Sequence, residues 1–434
     1  MDPLIAFLLI VIGLLTGIPV AFAFLLGAVF LIWAGDYDPS FLLPYSVGQV
    51  SSIILLTIPL FILAGGLMQQ GGIANRLIDI ADTLLGRVKG GLGVVGVVGS
   101  GLFSAISGST SATVSAIGTV LLPRLDRAGY PRGHSAALIA NAGVLGILIP
   151  PSGLMIVYAW LGQVSVAAAF LATVGPGLVV MALLALVNIL SLRSNPDIAL
   201  SQPRAGRETA TAFLRSSWNG LPALLMPVVI LGGIYSGVMT PTEAAGVAVL
   251  YAIVIGFVVY REFTVRSFFD TVIGSAMRTG TIMIMLLGIA MLSRMFIMED
   301  VPGTILSVLA EVSTNPLVIL LMINAFMIII GMLMDDTSAV LLTTPILLPV
   351  VTQFGVDPIH FAAIMGVNIG MGNVTPPTAP LLYLAGSING ARLEEMLVPT
   401  LRMIAFAWLP TLVLVTYVPS IALFLPRLLL GYPG

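Results

Sequence analysis

Nine apolar stretches of membrane-crossing length, at 4–33, 51–70, 134–160, 165–191, 217–237, 242–260, 271–297, 359–385 and 397–425, leave this chain few folds to choose from. A helix of about 20 residues spans the roughly 30 Å hydrocarbon core of a bilayer. Inside that core every backbone N–H and C=O must be satisfied within the structure, so only helices and closed barrels cross it. Barrel strands alternate apolar and polar residues over about 10 positions, whereas these runs are unbroken and helical in length. Charged residues make up 8% of the 434, against about 25% in a soluble domain, too few to cover a surface in water. The chain therefore reads as an all-α, polytopic integral membrane bundle. The first run, Leu4 to Trp33, lacks a basic leading region and exceeds a signal peptide in length, so it is expected to stay as the first membrane segment.

Several chemistries are excluded at once. With no cysteine there are neither disulfides nor thiolate metal sites. A net charge of −2 gives no basis for nucleic-acid binding. Lys89, the only lysine, is followed by Gly90, so no Walker A motif exists and ATP hydrolysis by that route is excluded. Gly91-Leu92-Gly93-Val94-Val95-Gly96 fits the dinucleotide fingerprint, but no strand–turn–helix unit surrounds it and no organic cofactor is expected.

Two further apolar stretches, 91–123 and 316–350, are interrupted by polar residues, and loop charge decides their path. Basic loops stay in the cytoplasm. Arg193, Arg204, Arg207 and Arg215 place 192–216 there, and Arg261 and Arg266 place 261–270 there. The 34–50 loop (Asp36, Asp38) and the 299–303 loop (Glu299, Asp300) then fall outside. Arg76, Arg87 and Lys89 precede 91–123, and Arg124, Arg127 and Arg132 follow it. That segment enters and leaves on the cytoplasmic face, as a re-entrant hairpin. Flanked by Glu299, Asp300 and Asp357, the 316–350 stretch opens outward. The N-terminus is expected inside and the C-terminus outside.

An internal repeat runs parallel to this. Thr110-Ser111-Ala112 recurs as Thr337-Ser338-Ala339, a shift of 337 − 110 = 227, and Pro150-Pro151 recurs as Pro376-Pro377, a shift of 376 − 150 = 226. Two copies of a hairpin followed by a proline-broken helix, facing opposite ways, describe an inverted repeat, with halves at 1–216 and 217–434. Secondary transporters built this way hold their sites at the midplane on discontinuous helices.

The polar interruptions carry the chemistry. Ser104, Ser107, Ser109, Thr110 and Ser111 surround Gly108 in the middle of the first stretch. A turn there frees backbone groups that must be buried in protein or face a water-filled cavity, where carbonyls suit a hard cation and a helix N-terminus suits an anion. The alternative is a small-residue packing face. The second interruption is Met334-Asp335-Asp336-Thr337-Ser338. A carboxylate at the bilayer centre costs about 2.5–3.5 kcal/mol even on the lenient scale, so two adjacent acids need a cation or a donor unless the loop reaches water. Before each Pro-Pro pair, which strips two donors and frees upstream carbonyls, stand Asn141 and Asn368. Such amide, hydroxyl and carbonyl sets suit Na⁺ rather than a transition metal; a structural kink is the alternative. Thr240-Pro241-Thr242-Glu243 reads as a capping box that starts a helix. Arg278, Arg294 and Arg402 are expected to reach toward the interface from near helix ends.

Five strings in order, Phe103 to Ser109, Gly146 to Ser152, Thr240 to Ala245, Gly331 to Asp335 and Thr375 to Pro377, resemble the large membrane subunit of tripartite ATP-independent periplasmic (TRAP) transporters, the DctM-like permeases. The resemblance covers essentially the whole chain. It implies an inner-membrane, Na⁺-coupled importer of small organic acids in a bacterium or archaeon, working by an elevator mechanism. A transport domain from 91–160 and 316–389 would slide against a scaffold of the remaining helices. Two partners are implied: a periplasmic substrate-binding protein (DctP-like) and a small four-helix membrane subunit (DctQ-like), expected here as a separate chain. By motif, Ser107, Ser109, Asn141 and Gly146 would build one Na⁺ site, and Thr337, Asn368, Gly372 and Thr375 the other. Ser109, Ser152 and Asp335 would face the anionic substrate. Asp336 departs from the family pattern, which commonly has an uncharged residue there, and leaves open which acid acts. The substrates of such systems range over dicarboxylates, sialic acid, keto acids, ectoine and sulfonates, and the sequence does not choose among them.

Two other readings remain. A stand-alone Na⁺/carboxylate symporter of the same superfamily would need no binding protein. An intramembrane hydrolase would need a histidine beside its serine, and His134 and His360 lie far along the chain from both polar interruptions.

Overall fold

The computed structural model describes residues 2–85, 89–196, 198 and 206–433, and among them every regular element is a helix. Seven helices are long and apolar enough to cross a membrane, or eight if one bent pair counts as a single span. Arg87 and Arg204, two of the basic markers, lie outside the described residues.

The N-terminal run differs from expectation. It forms two helices, α1 (Asp2–Leu15) and α2 (Val20–Ala34), separated by Gly17 with φ 89° and by Pro19. A Cβ on Gly27 would lie 2.7 Å from Ile10 Cδ1, so residues seventeen apart meet and the chain folds back. At 14 and 15 residues each arm is about 21–22 Å long, short of a full crossing. The left-handed glycine and the missing proline donor break what hydropathy alone reads as one span. The expected single span from Leu4 to Trp33 is thus two short helices packed against each other.

Next come α3 (Leu42–Val50), α4 (Thr57–Gln70) and α5 (Ile73–Leu85), then α6 (Gly91–Ser107) and α7 (Thr110–Arg127). The last two form a hairpin. Ser104 Oγ lies 3.3 Å from Thr113 Oγ1, and a Cβ on Gly96 would stand 2.7 Å from Leu121. Both pairs are symmetric about the Gly108–Ser109 junction, whereas along one straight helix residues 104 and 113 would be about 13 Å apart. The dinucleotide-like glycines sit inside α6 as packing positions: Gly93 faces Asn188 and Gly96 faces Leu121.

After α8 (Arg132–Gly143) and the single turn α9 (Leu145–Leu148), the chain bends by 42° through Pro150-Pro151 into α10 (Gly153–Gly162). Five longer or peripheral helices follow: α11 (Val166–Leu192), α12 (Gly206–Tyr235), α13 (Pro241–Val254), α14 (Val265–Met298) and α15 (Val301–Val312). The capping box is present at α13, where the Glu243 N–H donates to Thr240 Oγ1 and the Thr240 N–H donates to Glu243 Oε2. Its Thr242 also meets Thr57 at 2.7 Å, tying α13 to α4.

A second hairpin pairs α16 (Pro316–Leu333) with α17 (Asp336–Gln353), and α18 (Pro358–Gly372) clamps both arms. Asn368 Nδ2 donates to Asn324 Oδ1 of α16 at 2.9 Å, and Thr344 Oγ1 of α17 donates to Met365 Sδ at 3.5 Å. Residues twenty apart thus meet within one turn of α18, symmetric about Met334. The expected 359–385 span is broken at 373–379, before α19 (Pro380–Asn389). The chain closes with α20 (Leu393–Met403), α21 (Leu409–Tyr417) and α22 (Ser420–Leu430), of which α20 and α21 form one 25-residue crossing, Leu393–Tyr417.

Helices α8 and α18 are the centre of the molecule. Every residue of α8 from Gly133 to Gly143, and of α18 from Ile359 to Gly372, is buried, the mark of a helix enclosed on all sides. Around them the halves exchange contacts. A Cβ on Gly162 at the end of α10 would lie 2.8 Å from Leu348 of α17, and one on Gly118 of α7 would lie 3.0 Å from Ile388 of α19. Each helix that follows a Pro-Pro break therefore leans on the second arm of the other hairpin.

Two loop groups mark opposite ends. Arg76 pairs with Glu262, Arg124 with Asp79 and Arg132 with Asp126, while Tyr37 Oη donates to Glu299 at 2.7 Å. Glu262 and Glu299 flank α14 (Val265–Met298), so the Arg76–Glu262 and Tyr37–Glu299 contacts lie at opposite ends of that helix.

Candidate functional site

The first hairpin tip is built by a left-handed glycine and a serine cap. Gly108 has φ 58° and closes α6, and a Cβ there would lie 3.3 Å from Pro151 C. Ser109 caps α7, its Oγ accepting the Ala112 N–H at 3.4 Å. Three of the hydroxyls zip the arms: Ser104 and Ser107 meet Thr113 Oγ1, which donates to the Ser109 carbonyl at 2.9 Å. Ser109 and Ser111 contact each other at 3.4 Å and face open space.

The second tip uses a carboxylate where the first uses a hydroxyl. Asp335 caps α17, its Oδ2 accepting the Thr337 and Ser338 N–H groups at 3.2 and 3.3 Å, with the Ser338 hydroxyl on Oδ1. A charged cap at a helix N-terminus is favoured by the helix dipole. Asp336 does something different. Its Oδ2 accepts the Thr110 hydroxyl at 3.0 Å, joining the second tip to the first. Asp336, not Asp335, is the acid that links the two hairpins.

Both tips rest on the glycines that precede the Pro-Pro breaks. A Cβ on Gly146 would lie 2.6 Å from Ser109 C, and one on Gly372 would lie 2.8 Å from Gly331 O. Both Pro-Pro bonds are cis. Thr375 Oγ1 donates to the Met371 carbonyl and Thr378 Oγ1 to the Met332 carbonyl, each at 2.6 Å.

The two asparagines occupy different environments. Asn368 Nδ2 donates to Asn324 Oδ1 and to the Ile364 carbonyl, leaving its own Oδ1 buried without a partner. Asn141 Oδ1 already accepts the Trp408 indole N–H at 2.9 Å. A buried, unmatched carbonyl oxygen costs about 1–3 kcal/mol, so the Asn368 oxygen fits a cation directly. Asn141 can offer only its second lone pair. Among the described residues no three His, Asp or Glu side chains converge; the oxygens a cation could use here are hydroxyl, amide and backbone carbonyl, with the Asp335 and Asp336 carboxylates at the second tip.

A cavity of about 350 Å³ opens beneath the joined tips. One wall is Ser107–Ala112 and Asp335–Thr337; the other is α4 from Ile58 to Gly66 and α14 at Arg278, Thr281, Ile282 and Met285. Of the residues expected to face substrate, Ser109 and Asp335 line it. Ser152 is fully buried beside Gly108, its hydroxyl unpartnered and outside the lining. Both histidines are held elsewhere, His134 by Asn188 at 3.1 Å and His360 by the Val415 carbonyl at 2.7 Å, so neither tip has a Ser–His pair.

Arg278 stands farther from a helix end than hydropathy places it. Hydropathy starts its helix at 271, near enough to an end for the side chain to reach the interface. In the structure α14 is 34 residues long and begins at Val265, which puts Arg278 thirteen residues, about 20 Å, along its axis. The capping pattern at Thr264 and Ser267 was the available signal for the longer helix. Arg294 instead sits over the Tyr45 ring at 5.3 Å, and Arg402 lies in a groove with His134 and Glu395.

Comparison with known proteins agrees with this geometry. The profile of the tripartite ATP-independent periplasmic transporter DctM component matches residues 6–421. The chain is 36% identical over 413 residues to the isethionate TRAP transporter permease protein DctMQ of Oleidesulfovibrio alaskensis, covering 95% of this chain but 64% of that longer relative. It is 37% identical over 377 residues to the C4-dicarboxylate TRAP transporter large permease protein DctM of Pseudomonas aeruginosa, covering 86% of each. The solved Alcanivorax borkumensis YdaH transporter superposes with a TM-score of 0.63 over 88% of this chain and 90% of that one, and at 15% identity the likeness shows the fold alone. The chain belongs to the DctM family of tripartite ATP-independent periplasmic transporters: it is a large permease subunit, a multi-span membrane transport protein and not an enzyme.

Proposed function

We propose that this permease imports a small organic acid, a carboxylate or sulfonate, coupled to Na⁺ and delivered by an extracytoplasmic binding protein, with a small membrane subunit completing the complex. The observation that carries the reading is the Thr110–Asp336 bond, which closes two hairpin tips over one cavity. Cations would be held by oxygen ligands behind each tip: Ser107, Ser109, Asn141 and Gly146 at the first, Thr337, Asn368, Gly372 and Thr375 at the second. The unpartnered Asn368 oxygen supports the second set most directly. Substrate would meet Ser109 and Asp335, with Ser152 supporting the tip from behind.

The halves form an inverted repeat in this reading, supported by the 226–227 shift and by the matched exchange of Gly162–Leu348 and Gly118–Ile388 contacts. The transport domain, 91–160 and 316–389, supplies one wall of the cavity, while α4 and α14 supply the other. A site at that boundary suits an elevator, because sliding one wall past the other carries the site across. The test is uptake into proteoliposomes holding both membrane subunits, with loaded binding protein outside. Uptake should require an inward Na⁺ gradient and be lost in Asp335→Ala with the subunits still assembled. Uptake unchanged without Na⁺ would sink the coupling, and uptake without binding protein would favour a stand-alone symporter.

A further inference from the structure

The wall that carries the carboxylates holds no cationic side chain, and Asp335 and Asp336 put two acids at its tip, so an anion meeting Ser109 and Asp335 there draws on positive charge from elsewhere. The opposite wall holds one cation. Among the residues lining the cavity Arg278 is the only basic one, and among the described residues it makes no ion pair. Arginine stays charged in any protein environment and presents a planar fork of donors that matches a carboxylate or sulfonate in two bonds. The side chain is exposed at the mouth of the cavity, and the protein supplies no counter-charge within ion-pair distance.

A second observation extends this. A further cavity of about 210 Å³ lies between α4 and α14, lined by Gln69, Gln70, Asp270, Thr271 and Ser275, and it shares Gly66 and Arg278 with the central one. Along α4 the lining runs from Ile58 toward Gln70, and along α14 from Met285 back toward Asp270. Both lead to the end where Arg76 meets Glu262. Arg278 stands at the junction of the site and this polar crevice.

We propose that Arg278 is a substrate-binding residue on the scaffold wall, pairing with the anionic group of the substrate as it passes between the hairpin tips and the α4–α14 crevice. This rests on reading the central cavity as the substrate's. It assigns the anion's counter-charge to the wall opposite the tips, so the pairing exists only while the site faces that wall.

The test uses the full complex in proteoliposomes, with cysteines removed from the partner subunits, since this chain has none of its own. Succinate, isethionate and sialic acid serve as probes, and whichever the wild-type complex accumulates is carried forward. Arg278→Gln should lower uptake more than tenfold, and Arg278→Lys should retain a measurable fraction. Arg278→Cys should be inactive, recover when a cationic aminoethyl group is attached to the folded protein, and stay inactive with an anionic sulfonatoethyl group. Saturating internal substrate should slow the attachment at least fivefold. Wild-type rates in Arg278→Gln, or equal recovery with either reagent, would overturn the proposal. If Arg278→Cys does not assemble, equal activities of Arg278→Lys and Arg278→Gln do the same. Failure of the wild-type complex to accumulate any of these probes, or any keto acid or other sulfonate tried after them, would overturn the proposed function instead.

Discussion

Adding one methyl group at Gly146 tests whether the first tip works by being held in place. An ideal Cβ there would stand 2.6 Å from Ser109 C, 2.7 Å from Thr110 N and 2.8 Å from Ser109 O. Carbon atoms in ordinary contact are about 3.5 Å apart, so the tip backbone must retreat by about 0.9 Å. These are backbone atoms of a capped turn, and no side-chain rotation relieves the clash. A retreat of that size along the Thr110–Asp336 bond would stretch it from 3.0 Å to about 3.9 Å, beyond a hydrogen bond. Overpacking of this kind costs about 1–3 kcal/mol in stability, which a bundle of this size tolerates, while a shift of about 0.9 Å far exceeds the roughly 0.2 Å within which the ligand distances of a metal site agree with their expected values. Gly146→Ala is therefore expected to assemble with a modestly lowered thermal midpoint, yet lose at least tenfold in Na⁺-driven uptake and require more Na⁺ for half-maximal rate. Gly246→Ala, where a Cβ meets nothing within 4 Å, is the control for adding a methyl group to a helix. Wild-type uptake with unchanged Na⁺ dependence in Gly146→Ala would refute the argument, because it would show that the tip's position does not set the site.

Three further outcomes are expected. In a double-mutant cycle, Thr110→Val and Asp336→Asn should show a coupling of about 1–3 kcal/mol in thermal stability, and additive effects would mean the tips are not joined through that bond. Trp408→Phe removes the donor to Asn141 Oδ1 and should lower the unfolding midpoint by the equivalent of about 1–3 kcal/mol; an unchanged midpoint would show that water or another donor replaces the indole. Thr240→Ala removes the α13 cap and should cost about 1 kcal/mol with transport unaffected, so a large transport defect there would give this turn a role beyond helix initiation.

The membrane class, the helical fold, the hairpin positions and the capped start at Thr240 were legible in the sequence because each rests on local physics. Unbroken hydropathy forces helices in lipid, loop charge sorts the ends, and serine, threonine and aspartate before a helix satisfy its first N–H groups. Prolines and glycines were legible as breaks at Pro150 and Pro376. The break at Gly17 and Pro19 is hidden in the sequence because the apolar run continues across it, and hydropathy averages over a turn that backbone conformation imposes.

What the sequence could not supply is which side chains meet. Asp335 and Asp336 are neighbours of the same chemistry, and only packing of the two hairpins separates them, one capping its own helix and the other bonded to Thr110, 226 positions away. The same holds for Asn141 and Asn368, equivalent in the repeat, of which only the first has its oxygen taken by Trp408. Arg278 reads as an end-of-helix residue until the full length of α14 places it opposite the tips. Local interactions write the elements into the sequence. The site is made by contacts between residues far apart in the chain, and those exist only once the halves have packed against each other.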